Sequence, residues 1–282
     1  MKKSFYFLLT KSIGSYINLM SLLFPEKATD MAHGYFSEPR KGKISKNELP
    51  KTLQTSHSET IKNDEDVIQT YIWKGNDTVV LLIHGWESNS SRWKKILPHL
   101  IQSGSTIIAI DGPAQGLSSG KEFTVPKYAA FIDIVSKKYK PNYIIGHSMG
   151  GQTSLYYQYK YQNPNVQKLV ILGAPSDFTI ILKNFTTLLS LNNKVTKALE
   201  NKYTNLLNLN LAQFSSEVFV SKIEVKGLLA HDIDDKVVLF KEGKKIAESW
   251  KDVQFIQTRG LGHKLHDDDL YRKIYTFLFE AE

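Results

Sequence analysis

Ser148 stands between two glycines in Gly146-His147-Ser148-Met149-Gly150, directly after the apolar run Tyr143-Ile144-Ile145 and before a helical pattern from Met149 to Tyr161. A serine hydroxyl is a poor nucleophile at neutral pH, so it reacts only where a base takes its proton and a third group orients that base. The spacing G-x-S-x-G suits the task. A strand that turns at once into a helix holds the serine outward at a strained corner, and a side chain larger than hydrogen two residues either way would collide with the turning backbone. The helix that follows aims its positive end at the same place, which favours negative charge building on a bound carbonyl oxygen. The backbone N–H of Met149 is one donor to that oxygen. A glycine-rich turn with an incidental serine would show the same five letters; the strand before and the helix after separate the two readings.

Those elements belong to a regular order. Short apolar runs at Val67 to Trp73, Thr78 to Ile83, Thr106 to Ile110, Tyr143 to Ile145, Leu169 to Leu172, Val225 to Ala230 and Val253 to Ile256 alternate with helical patterns such as Arg92 to Ile101 and Pro126 to Tyr139. Strands alternating with helices imply parallel pairing with right-handed crossovers, hence an α/β fold with a sheet covered on both faces. In such a sheet reactive groups gather beyond the carboxyl ends of the strands, where Ser148 falls. One interval breaks the rhythm: residues 176–222 hold several helical patterns where one crossover helix would do, and read as a helical insertion. The lysine- and glycine-containing stretch from Glu38 to Lys51 reads as a surface linker, so the expected organisation is an N-terminal helix and basic linker over 1–50 and one α/β domain over 51–282.

With these motifs in place, the chain resembles an α/β-hydrolase of the serine-nucleophile type from about Val67 to Phe279. His84-Gly85-Trp86 follows one strand, "DGPAQGLSSG" the next, the serine corner the third, and an acid and a histidine come near the end. The resemblance implies a mainly parallel eight-stranded sheet, and a lid after the sixth strand in the place of residues 176–222. It puts the base on His263 in "GLGHKLH", and the second oxyanion donor on the backbone N–H of Trp86. His84 and Gly85 then shape that turn, as Gly146 and Gly150 shape the corner. His266 is read with the acidic start of the last helix as capping. For the orienting acid, "AHDIDDKVV" offers Asp232, Asp234 and Asp235; motif register favours Asp235, while Asp232 stands where the family usually has glycine. Ala114 likewise stands where glycine is frequent.

The reaction so implied is acyl transfer to water through an acyl-enzyme, with Ser148, His263 and Asp235 as triad and with neither metal nor organic cofactor. Activity should rise with pH as the histidine loses its proton, near the ordinary value of about 6.5. A carboxylic ester is the default substrate, apolar because the insertion carries Phe178, Ile180, Ile181, Phe185 and Leu188. Thioesterase, acyltransferase and carbon–carbon hydrolase chemistry use the same triad, and a non-catalytic small-molecule binder could keep the fold.

Composition narrows the remaining classes. The 282 residues are 41% hydrophobic, enough for a sizeable core, and the net charge is +8. The lysines are spread along the chain rather than gathered in an aromatic-interleaved stripe, so nucleic acid is not the expected partner. Without cysteine there is no disulfide framework and no catalytic thiol, which suits a reducing, cytoplasmic setting. Lys2 and Lys3 before Phe5 to Leu9 start like a secretory signal, but Thr10, Lys11 and Ser12 interrupt the run. Phe5, Leu8, Leu9, Ile13, Tyr16, Met20 and Leu23 instead recur at helical spacing up to Pro25. That stripe predicts a helix docked on its own domain, with weak membrane-surface contact through residues 1–24 and an atypical signal as the alternatives.

Overall fold

The computed structural model describes residues 2–207 and 210–280, and the side chains from residue 5 onward. Lys2 and Lys3, the charged start of the signal-like pattern, thus lie outside the described side chains, and residues 208 and 209 of the insertion and 281 and 282 lie outside the description altogether. The strands are β1 (His57–Asn63), β2 (Asp66–Trp73), β3 (Asn76–Ile83), β4 (Ser105–Ile110), β5 (Tyr143–His147), β6 (Lys168–Leu172), β7 (Lys226–Asp232) and β8 (Val253–Thr258). The helices are α1 (Lys2–Leu23), α2 (Pro25–Ser37), α3 (Lys51–Gln54), α4 (Leu97–Ile101), α5 (Val125–Tyr139), α6 (Met149–Tyr161), α7 (Phe178–Leu189), α8 (Asn193–Leu207), α9 (Ser216–Val220), α10 (Phe240–Ser249) and α11 (Asp268–Phe279).

The strands form one sheet in the order β1-β2-β4-β3-β5-β6-β7-β8. β2 runs antiparallel to β1 and β4, and every pair from β4 through β3 to β8 is parallel. The central strands are apolar along their whole length because both of their faces are covered. Val80, Leu82, Ile145, Val170, Leu172, Leu228 and Ala230 point to one side and share a core with Leu97 and Leu100 of α4 and Leu270, Ile274 and Leu278 of α11. The alternate residues Leu81, Ile83, Ile144, Ile171 and Leu229 are buried on the other side, where α6 lies so close that a Cβ on Gly151 would come within 3.1 Å of the Ile171 side chain. β1 escaped the apolar-run reading because it is a polar edge strand, His57-Ser58-Glu59-Thr60-Ile61-Lys62-Asn63, with its side chains largely in solvent.

The chain divides into two compact units, the residues up to Glu38 with Asp177–Ser215, and Pro39–Ser176 with Ser216–Glu282. The first is all helical: α1 packs on α7 and α8, and α2 on α8. Its interior is an aromatic cluster in which Phe36 meets Phe178, Phe185 and Tyr203 edge-on, with ring centroids 5.0 to 5.8 Å apart. Phe178 also contacts Tyr203 and Phe214. The phenyl rings that suggested an apolar substrate are therefore engaged in the core of their own unit.

Two boundaries differ from the sequence reading. The insertion groups with the N-terminal helices over 177–215, and α9, inside the expected 176–222, belongs to the sheet unit, where it packs on α6 and α10. The expected linker, Glu38 to Lys51, is partly ordered within the sheet unit through a bridge between Lys43 and Gly116. The N-terminal stripe is also rotated from expectation. Phe5, Leu8, Leu9, Tyr16 and Leu23 are exposed, and the buried seam of α1 is Thr10, Gly14, Ile17 and Ser21.

Candidate active site

Ser148 caps the N-terminus of α6 at the end of β5 with φ 55° and ψ −125°. A non-glycine residue in that region of backbone space is strained, and the surroundings hold it there. A Cβ on Gly146 would fall 2.7 Å from the Gly150 carbonyl oxygen and the Gly151 Cα, and one on Gly150 would fall 2.3 Å from the carbonyl oxygens of Ile83 and His84. Hydrogen alone fits at both places. The Ser148 N–H donates to the Leu172 carbonyl at 2.8 Å, fastening the corner to β6.

His263 lies in a short 3-10 turn (Gly262–Lys264) after β8. Its Nε2 is 3.0 Å from Ser148 Oγ and its Nδ1 is 2.8 Å from Asp235 Oδ2. Those partners assign the tautomer: Nδ1–H donates to the carboxylate and Nε2 accepts from the hydroxyl. Asp235 Oδ1 accepts from the N–H groups of Val237 at 2.8 Å and Val238 at 3.1 Å. Burial pushes the Asp235 carboxyl up, but the His263 hydrogen bond and those two N–H donors outweigh it, and its pKa sits below the ordinary value.

The other two carboxylates are engaged elsewhere. Asp232 Oδ2 accepts from Thr258 Oγ1 at 2.7 Å and from Leu261 N–H at 3.0 Å, which ties β7 to the loop that carries His263. Asp234 is half-exposed and pairs loosely with Arg259 at 3.8 Å. His266 has its Nδ1 2.7 Å from the Tyr271 hydroxyl, and burial with nearby Arg92 and lysines lowers its pKa to about 4. Asp267 caps α11 by accepting from Leu270 N–H at 2.8 Å.

Opposite the corner, the turn His84-Gly85-Trp86 is pressed against Ser148. A Cβ on Gly85 would lie 2.9 Å from Ser148 Cβ, 3.0 Å from the His147 carbonyl and 3.5 Å from the Met149 nitrogen. The amide of Met149, first in α6, is one of the helix-start donors without an intrahelical acceptor, and the Trp86 turn is carried up to it. His84 is fully buried; burial pushes its pKa down, so it is neutral, with Nδ1–H donating to Gly85 O at 2.8 Å and Nε2 accepting from Gly112 N–H at 2.9 Å. It stitches this turn to the loop after β4. The Trp86 indole packs edge-on against Phe123.

Three supporting residues carried no signal in the sequence reading. His147, the unspecified position of the motif, is buried, and that burial together with the Arg92 charge holds its pKa well below the ordinary value. Its Nε2–H donates to the His263 carbonyl at 2.8 Å. Arg92 donates to the Lys264 carbonyl at 3.2 Å, from the other side of the same turn. Asp111, opening "DGPAQGLSSG", is fully buried. Its carboxylate accepts from Ser90 N–H and Oγ, Tyr71 Oη and Leu117 N–H, which fixes the loops beside the corner. Buried imidazole and carboxylate positions of this kind are found only from long-range contacts, which no local spacing announces. Among the described residues no three His, Asp or Glu side chains converge as metal ligands.

Residues 78–219 match the model of the alpha/beta hydrolase fold family, and the chain belongs to that family. It is 33% identical over 115 residues to a serine hydrolase-like protein of Danio rerio, covering 37% of this chain and 35% of that protein. It is 26% identical over 114 residues to the phospholipase YtpA of Bacillus subtilis, covering 37% of this chain and 44% of that one. The matches thus span less than half the length of either relative. Among solved structures, alpha/beta hydrolase domain-containing protein 10 from mouse superposes with a TM-score of 0.63 at 16% identity, over 79% of this chain and 97% of that one, a likeness of fold.

Proposed function

We propose that this chain is a serine hydrolase that cleaves a carboxylic ester through an acyl-enzyme. The observation that carries the reading is the continuous relay from Ser148 Oγ through His263 to Asp235, at 3.0 and 2.8 Å. Ser148 Oγ attacks the ester carbonyl while His263 Nε2 takes its proton. The C–O double bond opens to an oxyanion held by the N–H groups of Met149 and Trp86, each such donor being worth on the order of 10² to 10³ in rate. The proton on His263 passes to the leaving alkoxide as the C–O bond breaks. Water, deprotonated by the same imidazole, then attacks the acyl-serine and restores the hydroxyl. Asp235 keeps the tautomer and stabilises the imidazolium. The curated relatives, one named serine hydrolase-like and one a phospholipase, support a hydrolase of this kind. In this reading the insertion between β6 and β7 acts as the lid, on its place in the chain alone.

The test is release of p-nitrophenol from p-nitrophenyl esters of graded acyl length by the wild type and Ser148→Ala. The expected loss in kcat is about 10⁴-fold or more. Equal rates in the two proteins would overturn the reading, as would a folded wild type that turns over none of the series.

A further inference from the structure

Helix α1 is built inside out. The seam it turns into its own unit is Thr10, Gly14, Ile17 and Ser21, three of the four small or polar. A Cβ on Gly14 would overlap the Leu189 carbonyl oxygen at 1.6 Å, so the missing side chain is what lets the helix seat on α7. Hydrogen bonds secure the rest of that side. Lys11 Nζ donates to the carbonyls of Thr187 and Leu188, Asn18 donates to the Ser190 carbonyl and accepts from Asn192 N–H, and Lys194 Nζ donates to the Ser21 carbonyl.

The large apolar side chains face out. Of the sixteen exposed large apolar side chains among the described residues, ten lie within residues 5–24. Phe5, Leu8, Leu19, Leu22 and Leu23 are 63% to 76% exposed. An exposed apolar surface this concentrated marks an interaction site. Its charge selects the occupant: besides the seam-bonded Lys11, residues 1–25 contain Lys2 and Lys3 and not one Asp or Glu. Two copies of such a segment repel each other, whereas an anionic lipid surface attracts it. Aromatic side chains mixed with leucine suit the headgroup–acyl boundary. Among the described residues no helix is long and apolar enough to cross a membrane.

We propose that α1 docks the protein on an anionic bilayer surface, its seam held by α7 and α8 and its outward apolar side chains entering the boundary layer. This stands apart from the hydrolase reading, because it requires no turnover. The test is co-flotation of the full chain with vesicles of phosphatidylcholine alone and of phosphatidylcholine with 30% phosphatidylglycerol, beside a Leu8→Glu/Leu19→Glu/Leu22→Glu variant. All three positions lie off the seam, and an unchanged thermal midpoint shows that the variant is folded; Leu→Ser at the same positions serves if it is not. The expected result is at least tenfold more wild type bound to the anionic vesicles than to the neutral ones, with binding lost in the variant. Equal binding to both vesicle types, undiminished binding by the folded variant, or self-association through this face without vesicle binding would each overturn the proposal.

Discussion

At the scale of single residues, the three carboxylates of "AHDIDDKVV" are told apart by their partners, and the proposed roles separate sharply under mutation. Asp235→Asn leaves the shape intact but lets the His263 tautomer reverse, so kcat should fall about 10⁴-fold. Asp234→Asn removes only an exposed pairing with Arg259 at 3.8 Å and should leave kcat within about twofold. Side-by-side kinetics of the two variants checks the assignment. His147 acts through another residue: its Nε2–H fixes the carbonyl of His263. His147→Ala should therefore lower kcat about 10² by loosening the imidazole, with KM nearly unchanged, and His147→Gln, which retains a donor, should recover part of the loss. A structural role alone would lower the melting temperature without that split between kcat and KM. Ser148, Gly146 and Gly150 were legible in the sequence because the corner is a local device whose demands fall within five residues. Asp111 and Arg92 were not, because partners such as Ser90, Tyr71 and Lys264 lie far along the chain and a carboxylate or guanidinium tied into loops looks in sequence like any surface charge.

Elements were legible where burial imposes a period. The strands β3 to β7, buried along most of their length, show as apolar runs, and β1 does not, since an edge strand facing water keeps polar residues. Helix α1 misled for a related reason. Its 3.6-residue periodicity is real, but periodicity cannot say which side is covered, and here the narrow seam through Gly14 and Ile17 is buried, with Gly14 against Leu189 of α7, while the bulky stripe faces out. The consequence is testable within the helical unit. Gly14→Leu would drive a side chain into the Leu189 backbone and should destabilise that unit by about 3 kcal/mol. Replacing exposed Leu23 with Ser should leave its stability within about 0.5 kcal/mol. Hydrogen exchange of the α1 and α7 amides reads both effects; equal protection in wild type and Gly14→Leu would contradict the packing described.

On the scale of the whole molecule, the sheet unit carries a built-in response to acid. His84, His147 and His231 are buried, and burial is the leading cause that lowers all three pKa values. The unfolded chain therefore binds protons on these residues more readily than the folded one. Their contribution to stability is complete above the ordinary histidine value of about 6.5 and is lost as pH falls below it, at up to about 1.4 kcal/mol per pH unit for each ring until its folded pKa is reached. Asp235, held below the ordinary carboxylate value, adds stability that disappears only at still lower pH. Thermal melting of Ser148→Ala should accordingly be flat from pH 7 to 8 and fall steadily from 6.5 to 5; a flat profile down to pH 5 would show that these imidazoles are not held neutral. The α/β order, the parallel sheet and the serine corner were readable from alternating runs and one motif. The joining of the N-terminal helices with the insertion was not, since segments some 140 residues apart announce no pairing in their spacing. The proposed chemistry rests on one hydroxyl. Intact-mass and peptide mapping of the protein treated with a fluorophosphonate should show a single adduct on Ser148, absent from Ser148→Ala and strongly slowed in His263→Ala. A folded wild type that takes up no reagent, or an adduct that persists in Ser148→Ala, would contradict it.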